Sequence, residues 1–329
     1  MKLLFVFTGG TIGSAQSGNL IDLENGRAYK IIDAYNEKYG IDFEYDISEP
    51  YTELSENNTG RHIRALIGAV KQGLDKDYDG VIIAHGSDTL QYSAAALGYC
   101  LGNSLMPICI VASNAPIESK DSNALENLRG AVDVIKNKYG RGVFAVYRNS
   151  SSKAVTVHRA TRLIASKAYS DELASVYESP YGVFDGNFDF IKNSDYQERE
   201  DEISVFDASV LSDYSNEILV LYAYAGMIYP EIPEGVKYIL LNTYHSGTLN
   251  VKSERTIEFL QKARERKARV LATGVADGAQ YASASEYKAL GIEPIKALSP
   301  IAAYVKLWLG ISNGKDVDSF IERSLGGDL

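Results

Sequence analysis

The sequence predicts an α/β protein: a larger N-terminal domain on a parallel sheet, followed by a smaller C-terminal α/β domain. Three observations lead there. Near-continuous apolar runs (Leu3-Leu4-Phe5-Val6-Phe7, Val81-Ile82-Ile83-Ala84) read as strands buried on both faces. Helical stretches alternate with such runs, the rhythm of a doubly wound parallel sheet. Between about 185 and 214 the periodicity disappears and Asp, Glu, Asn and Ser take over, after which a second α/β unit begins. We therefore place a domain carrying the candidate motifs at 1–185, a linker at 186–215 and a second domain at 216–329. The 329 residues suit two domains of this kind.

The elements follow in order. After the opening strand, 14–27 is polar and glycine-bearing and reads as a loop over the strand end. A short helix follows at 28–39, a strand at 41–47, and a polar loop at 49–58 carrying Ser55-Glu56. Ile63, Leu66, Ile67 and Val70 stand at helical spacing within 59–75. A strand at 81–84 leads through His85-Gly86-Ser87-Asp88-Thr89 into a helix at 90–101. Pro107 opens a strand, 123–137 reads as a helix, and 143–147 with 154–158 as a strand pair. In the second unit, strands are expected at 218–224, 238–243 and 269–273, and helices at 253–266 and 300–309.

Composition narrows the function classes. Thirty-three basic against 43 acidic residues leave a net charge of −10 with no basic cluster, which disfavours nucleic acid and anionic membrane as partners. Cys100 and Cys109 sit in apolar surroundings and read as inert core thiols. The five-residue apolar run after Met1-Lys2 is shorter than the roughly 7–15 residues of a signal sequence. No stretch approaches the roughly 20 apolar residues of a membrane span. A cytoplasmic location is expected.

Two strand ends display hydroxyls. Thr8-Gly9-Gly10-Thr11-Ile12-Gly13 stops the first strand with glycines that allow Thr11 to be presented at the sheet edge. His85-Gly86-Ser87-Asp88-Thr89 repeats the design, and two such ends suggest one shared cleft. A threonine hydroxyl is a weak nucleophile that needs a base or a network to take its proton. The plainer alternatives are an ordinary strand-to-loop turn and, for Asp88-Thr89, helix capping. Sequence signatures of phosphate loops, dinucleotide folds, zinc proteases and serine elbows are absent. His62, His85, His158 and His245 have no metal-ligand spacing, so neither metal nor cofactor is expected.

The paired motifs resemble those of the bacterial-type L-asparaginase/glutaminase family, in particular its type I-like cytoplasmic branch. The resemblance continues through Ser113-Asn114-Ala115-Pro116 with Asp121, Asn123 and Asn127-Leu128, and through Gly291-Ile292-Glu293-Pro294 to Ser299-Pro300-Ile301. It implies an asparaginase-like fold, a homodimer or homotetramer, and hydrolysis of the side-chain amide of a small amino-acid substrate. It further implies Thr11 as nucleophile, Ser87 and Asp88 in proton handling, and Ser55, Glu56 and Asp88 around the substrate's α-carboxylate and α-ammonium. Buried opposing charge for an α-ammonium makes physical sense of Glu56 and Asp88.

Three departures stand out. Ser87 replaces the family's threonine, keeping the hydroxyl and losing the methyl that restricts its rotamer. The family lysine falls on Leu163 or Ile164; Lys167 lies three or four residues later and either reaches the site by a small shift or is a surface lysine. The lid tyrosine falls near Gly18-Asn19-Leu20-Ile21, where leucine stands instead, and Tyr29 reads as packing on its helix. In the second domain, Tyr244-His245-Ser246-Gly247-Thr248 replaces a Gly- and Asn-containing turn. It is either a plain turn or a device bringing His245 or Thr248 near a neighbouring subunit's site.

The expected activity is L-asparagine hydrolysis through Thr11, with Ser87, Asp88 and Lys167 managing protons. One alternative is a weakened homologue that binds an amino acid without turning it over. Another is the transamidation subunit acting on misacylated transfer RNA, which predicts an extra N-terminal domain and a basic face; a first motif at Thr8 and a charge of −10 rank it last.

Overall fold

The computed structural model describes residues 1–9, 14–17, 20–23, 27–197, 204–275 and 281–328; the side chains of 14–29 and of Lys296 lie outside that description. The opening apolar run forms β1 (Lys2–Phe7), and β2 (Ser14–Ser17) pairs antiparallel with β3 (Leu20–Leu23). The stretch read as an irregular loop is thus a short hairpin beyond the strand end. Helix α1 (Arg27–Tyr39), β4 (Glu44–Ser48), α2 (Gly60–Leu74), β5 (Gly80–Ala84), α3 (Leu90–Leu101), β6 (Pro107–Val111), α4 (Ala124–Lys136) and β7 (Gly142–Tyr147) follow in alternation. Then come β8 (Val155–Arg159), β9 (Gly182–Phe184) and β10 (Phe190–Lys192).

These strands make one eight-stranded sheet in the order β10-β9-β8-β7-β6-β5-β1-β4. From β4 to β7 the neighbours are parallel, and from β7 to β10 they are antiparallel. The switch has a simple cause. The β7–β8 link, 148–154, is too short for a crossover and can only join antiparallel neighbours. The sheet is therefore mixed, with a parallel centre. β10 lies within 186–215, so part of that stretch is hydrogen-bonded into the larger sheet.

Both faces are covered, which explains the unbroken apolar strands. Phe5, Ile82 and Cys109 pack toward α1 and α4, whereas Val6, Ile83 and Ile110 pack toward α2 and α3. Burial pushes the Cys100 thiol up to about 12 and raises Cys109 further, in keeping with inert thiols.

The second unit has four parallel strands, β11 (Ile218–Tyr222), β12 (Tyr238–Asn242), β13 (Arg269–Val275) and β14 (Ile292–Lys296). Helices α5 (Glu254–Glu265), α6 (Ala282–Ser285), α7 (Tyr287–Leu290) and α8 (Pro300–Ser312) complete it. Glu293 and Pro294 mask β14 in the sequence, since Pro is confined to particular strand positions. Helix α8 is apolar nearly all round and packs on α3, so Ile301, Val305 and Leu309 join the same core as Leu66 and Leu97. Among the described residues no helix is long and apolar enough to cross a membrane.

Candidate active site

The registers decide where the motifs meet. Phe7 stands opposite Ala84, and Ala84 opposite Val111, so the carboxyl ends of β1, β5 and β6 are level. Thr8 continues β1 by one residue: its N–H and its hydroxyl both donate to the Ala84 carbonyl at 3.1 Å. The Glu53 N–H donates to the Thr8 carbonyl, also at 3.1 Å, which draws the 49–58 loop against the strand end. Gly9 makes that approach possible. Its φ is +101°, and a Cβ there would lie 2.4 Å from the Glu53 carbonyl oxygen. Thr11 itself lies outside the described residues.

At the second turn, His85 is fully buried at the end of β5. Its N–H donates to the Val111 carbonyl at 2.9 Å, and Nδ1 faces the Gly86 carbonyl at 2.8 Å. A carbonyl can only accept, so Nδ1 carries the proton and Nε2 accepts from the Asn58 amide at 3.4 Å. Burial lowers this imidazole from its usual 6.5 to about 4, and it stays neutral. Thr89 occupies the cap position of α3 without a side-chain capping bond. Its hydroxyl donates instead to the Ser55 carbonyl at 2.8 Å. The capping alternative for this residue thus gives way to a bond between loops. Ser55 is buried in a short 3-10 turn, Ser55–Asn57, which exposes Glu56. That turn is pinned from below, because Glu53 accepts from the Leu54 N–H and the Asn57 amide, both at 3.0 Å.

Ser87 and Asp88 face the other way. With Gln91, Ala112, Tyr147 and Lys167 they line a cleft of about 780 Å³. Lys167 comes from the irregular return after β8. There Leu163 bridges to Ser175, and Asn149 bonds both the N–H and the carbonyl of Leu173 at 2.9 Å. This holds 163–173 along the sheet edge and brings Lys167 to the cleft wall, exposed. Its side chain is open to solvent, and the residue lines the same cavity as Ser87 and Asp88. Asp88, Asp171 and Glu172 supply the negative charge of the wall.

The rim between β6 and β7 is fixed by asparagines. Buried Asn127 donates to the Ala112 carbonyl at 2.9 Å and accepts from the Arg148 N–H at 2.7 Å. Asn114 and Asn123 exchange side-chain and backbone bonds at 2.9 and 3.0 Å. Ser55 and Glu56 do not line the cleft; Thr89 ties them to its turn. Asn58 and Thr89 border a separate cavity of about 730 Å³ against β11 and α8. The Tyr244–Thr248 segment closes as a turn, with the Tyr244 N–H donating to the Thr248 carbonyl and Gly247 at φ +75°. The side chains of 20, 21 and 29, where the lid was sought, lie outside the described residues. Among the described residues no three His, Cys, Asp or Glu side chains are grouped to hold a metal ion. Buried Gln91 and half-buried Asn58 carried no signal in the sequence beyond their place near the motifs.

Hydroxyls, carboxylates and one amine around a cleft suit proton transfer and acyl transfer. A glutamyl-tRNA(Gln) amidotransferase subunit of Sulfolobus acidocaldarius is 26% identical over 354 aligned positions, covering 100% of this chain and 75% of that protein. Its namesake in Thermococcus kodakarensis is 25% identical, over 91% of this chain and 69% of the relative. Among solved structures, the thermostable L-asparaginase from Thermococcus kodakarensis superposes with a TM-score of 0.76 at 20% identity, covering 100% and 99% of the two chains. L-asparaginase I from Vibrio cholerae gives 0.75 at 21% identity, covering 100% and 98%. These two likenesses establish the fold. The sequence also matches the description "Asparaginase, N-terminal" over residues 2–194, from β1 through β10. With more than half its length matched in this way, the chain belongs to the asparaginase family.

Proposed function

We propose that this protein is an amidohydrolase that converts L-asparagine to aspartate and ammonia through Thr11. The observation behind this reading is that the adjacent Ser87 and Asp88 and the distant Lys167 line one cleft at the carboxyl edge of the sheet. Thr11 Oγ attacks the amide carbon, and its proton is taken by the Ser87–Lys167 relay and delivered to the leaving nitrogen. The C–N bond breaks, ammonia departs, and water hydrolyses the threonine ester to release aspartate. Asp88, on the cleft wall, pairs with the substrate's α-ammonium. The test is ammonia release by the wild-type protein with L-asparagine and L-glutamine in parallel, followed by Thr11→Val. Release from asparagine that disappears in Thr11→Val while asparagine still binds supports the reading. Unchanged turnover in that variant overturns it.

A second reading has its own support. The tRNA-amidotransferase relatives span 100% and 91% of this chain. As such a subunit, the chain would release ammonia weakly alone and strongly once a partner protein and charged tRNA are supplied. With a charge of −10, it would leave tRNA contact to that partner. Tight asparagine binding with no release under either condition would instead point to a binding protein on this frame.

A further inference from the structure

Gln91 is the second residue of α3 and only 4% exposed, yet it is one of the residues that line the cleft with Ser87 and Asp88. Its orientation is fixed. Nε2 donates to the Asp88 carbonyl at 3.1 Å, a bond that an amide oxygen cannot make. Oε1 is therefore turned away from that carbonyl, buried, and without a partner among the described residues. Buried side-chain acceptors are satisfied in the great majority of cases, and one left open at a cleft wall calls for a donor that arrives with the ligand. The carboxylates of Asp88, Asp171 and Glu172 are acceptors only, so they cannot serve, and Lys167 is exposed.

We propose that Gln91 is a specificity residue whose Oε1 accepts an N–H of the substrate's primary carboxamide. The inference rests on the amidohydrolase reading above and deepens it. A carboxamide brings two N–H donors to the wall, whereas the product carboxylate brings none and sets oxygen against oxygen. The acceptor thereby separates amide from acid at the same position, favouring substrate over product. Asparagine and aspartate share their α-carboxylate and α-ammonium, so the ratio of their affinities isolates this contact.

The experiment compares wild type with Gln91→Met, which removes both the acceptor and the bond to Asp88. Gln91→Glu keeps an acceptor and removes the bond to Asp88, while adding a carboxylate. The readout is KM for L-asparagine against the inhibition constant for L-aspartate, or the two calorimetric Kd values should wild type bind without turnover. We expect the preference for asparagine to fall roughly 3- to 10-fold in Gln91→Met and to be kept in Gln91→Glu. An unchanged ratio in Gln91→Met overturns the inference and leaves the activity standing. Equal losses in both variants also overturn it, because Gln91 would then act only through the Asp88 carbonyl. A wild-type protein that neither binds nor hydrolyses asparagine removes the parent reading, and this one with it. Should Gln91→Met fail to fold, wild type decides alone: a preference for aspartate over asparagine sinks the proposal.

Discussion

Lys167 and the buried histidines make opposite uses of a titratable side chain. Lys167 stands exposed on the wall of the cleft that Ser87 also lines. If it serves the relay, Lys167→Met lowers kcat about 100-fold or more with little change in KM, the range of a lost general acid–base group; steady-state ammonia release checks this, and an unchanged kcat would return the residue to the surface. His85 and His158 are buried, and burial lowers each from 6.5 to about 4. The unfolded chain then takes up protons before the folded one does. Their contribution to stability is complete above about pH 6.5 and is lost as pH falls toward 4, by up to about 3 kcal/mol per imidazole. Urea midpoints should therefore drop between pH 6.5 and 5, and His85→Asn should flatten part of that slope. A wild-type midpoint constant over this interval would contradict the assignment.

At the scale of elements, the site depends on loops held by backbone approach. Gly9 lets the end of β1 touch Glu53, and Thr89 bonds Ser55, so the 53–58 segment is clamped from two sides. Gly9→Ala meets both a positive φ and a backbone contact at 2.4 Å, and should cost more than about 1 kcal/mol in a denaturant titration. Gly226 has φ +71° with open space around it, so Gly226→Ala should cost less than Gly9→Ala. Equal costs would show that the Glu53 contact adds nothing. Much of this level was readable in advance: α3 spans 90–101 as its pattern predicts, and α2 falls within the expected 59–75. β9, β10 and β14 were not, because strands of three to five residues with Gly, Pro or charge lack a period to read.

The whole molecule is held together by its carboxyl end. Lys306 on α8 and Asp328 form a fully buried ion pair at 2.7 Å, and Lys306 also donates to the Arg323 carbonyl at 2.6 Å. Thr161 donates to the Gly326 carbonyl at 2.8 Å, which ties the tail to the larger sheet. Removing one partner of such a pair leaves an uncompensated buried charge. Asp328→Ala should cost about 3–5 kcal/mol, seen as a lower midpoint in urea, whereas a loss under about 1 kcal/mol would mean the pair is dispensable.

From the sequence alone came the α/β class, most helices, the parallel centre and the turn that carries Ser87, Asp88 and Thr89, because period, apolar runs and glycine punctuation are local properties of a chain. Tertiary structure alone decided that Lys167 shares a cleft with Ser87, that Thr89 bonds Ser55 and that Gln91 Oε1 has no partner among the described residues. Those facts follow from strand register and from how an irregular segment returns along the sheet, and contacts between residues 30 to 80 positions apart leave no periodic trace.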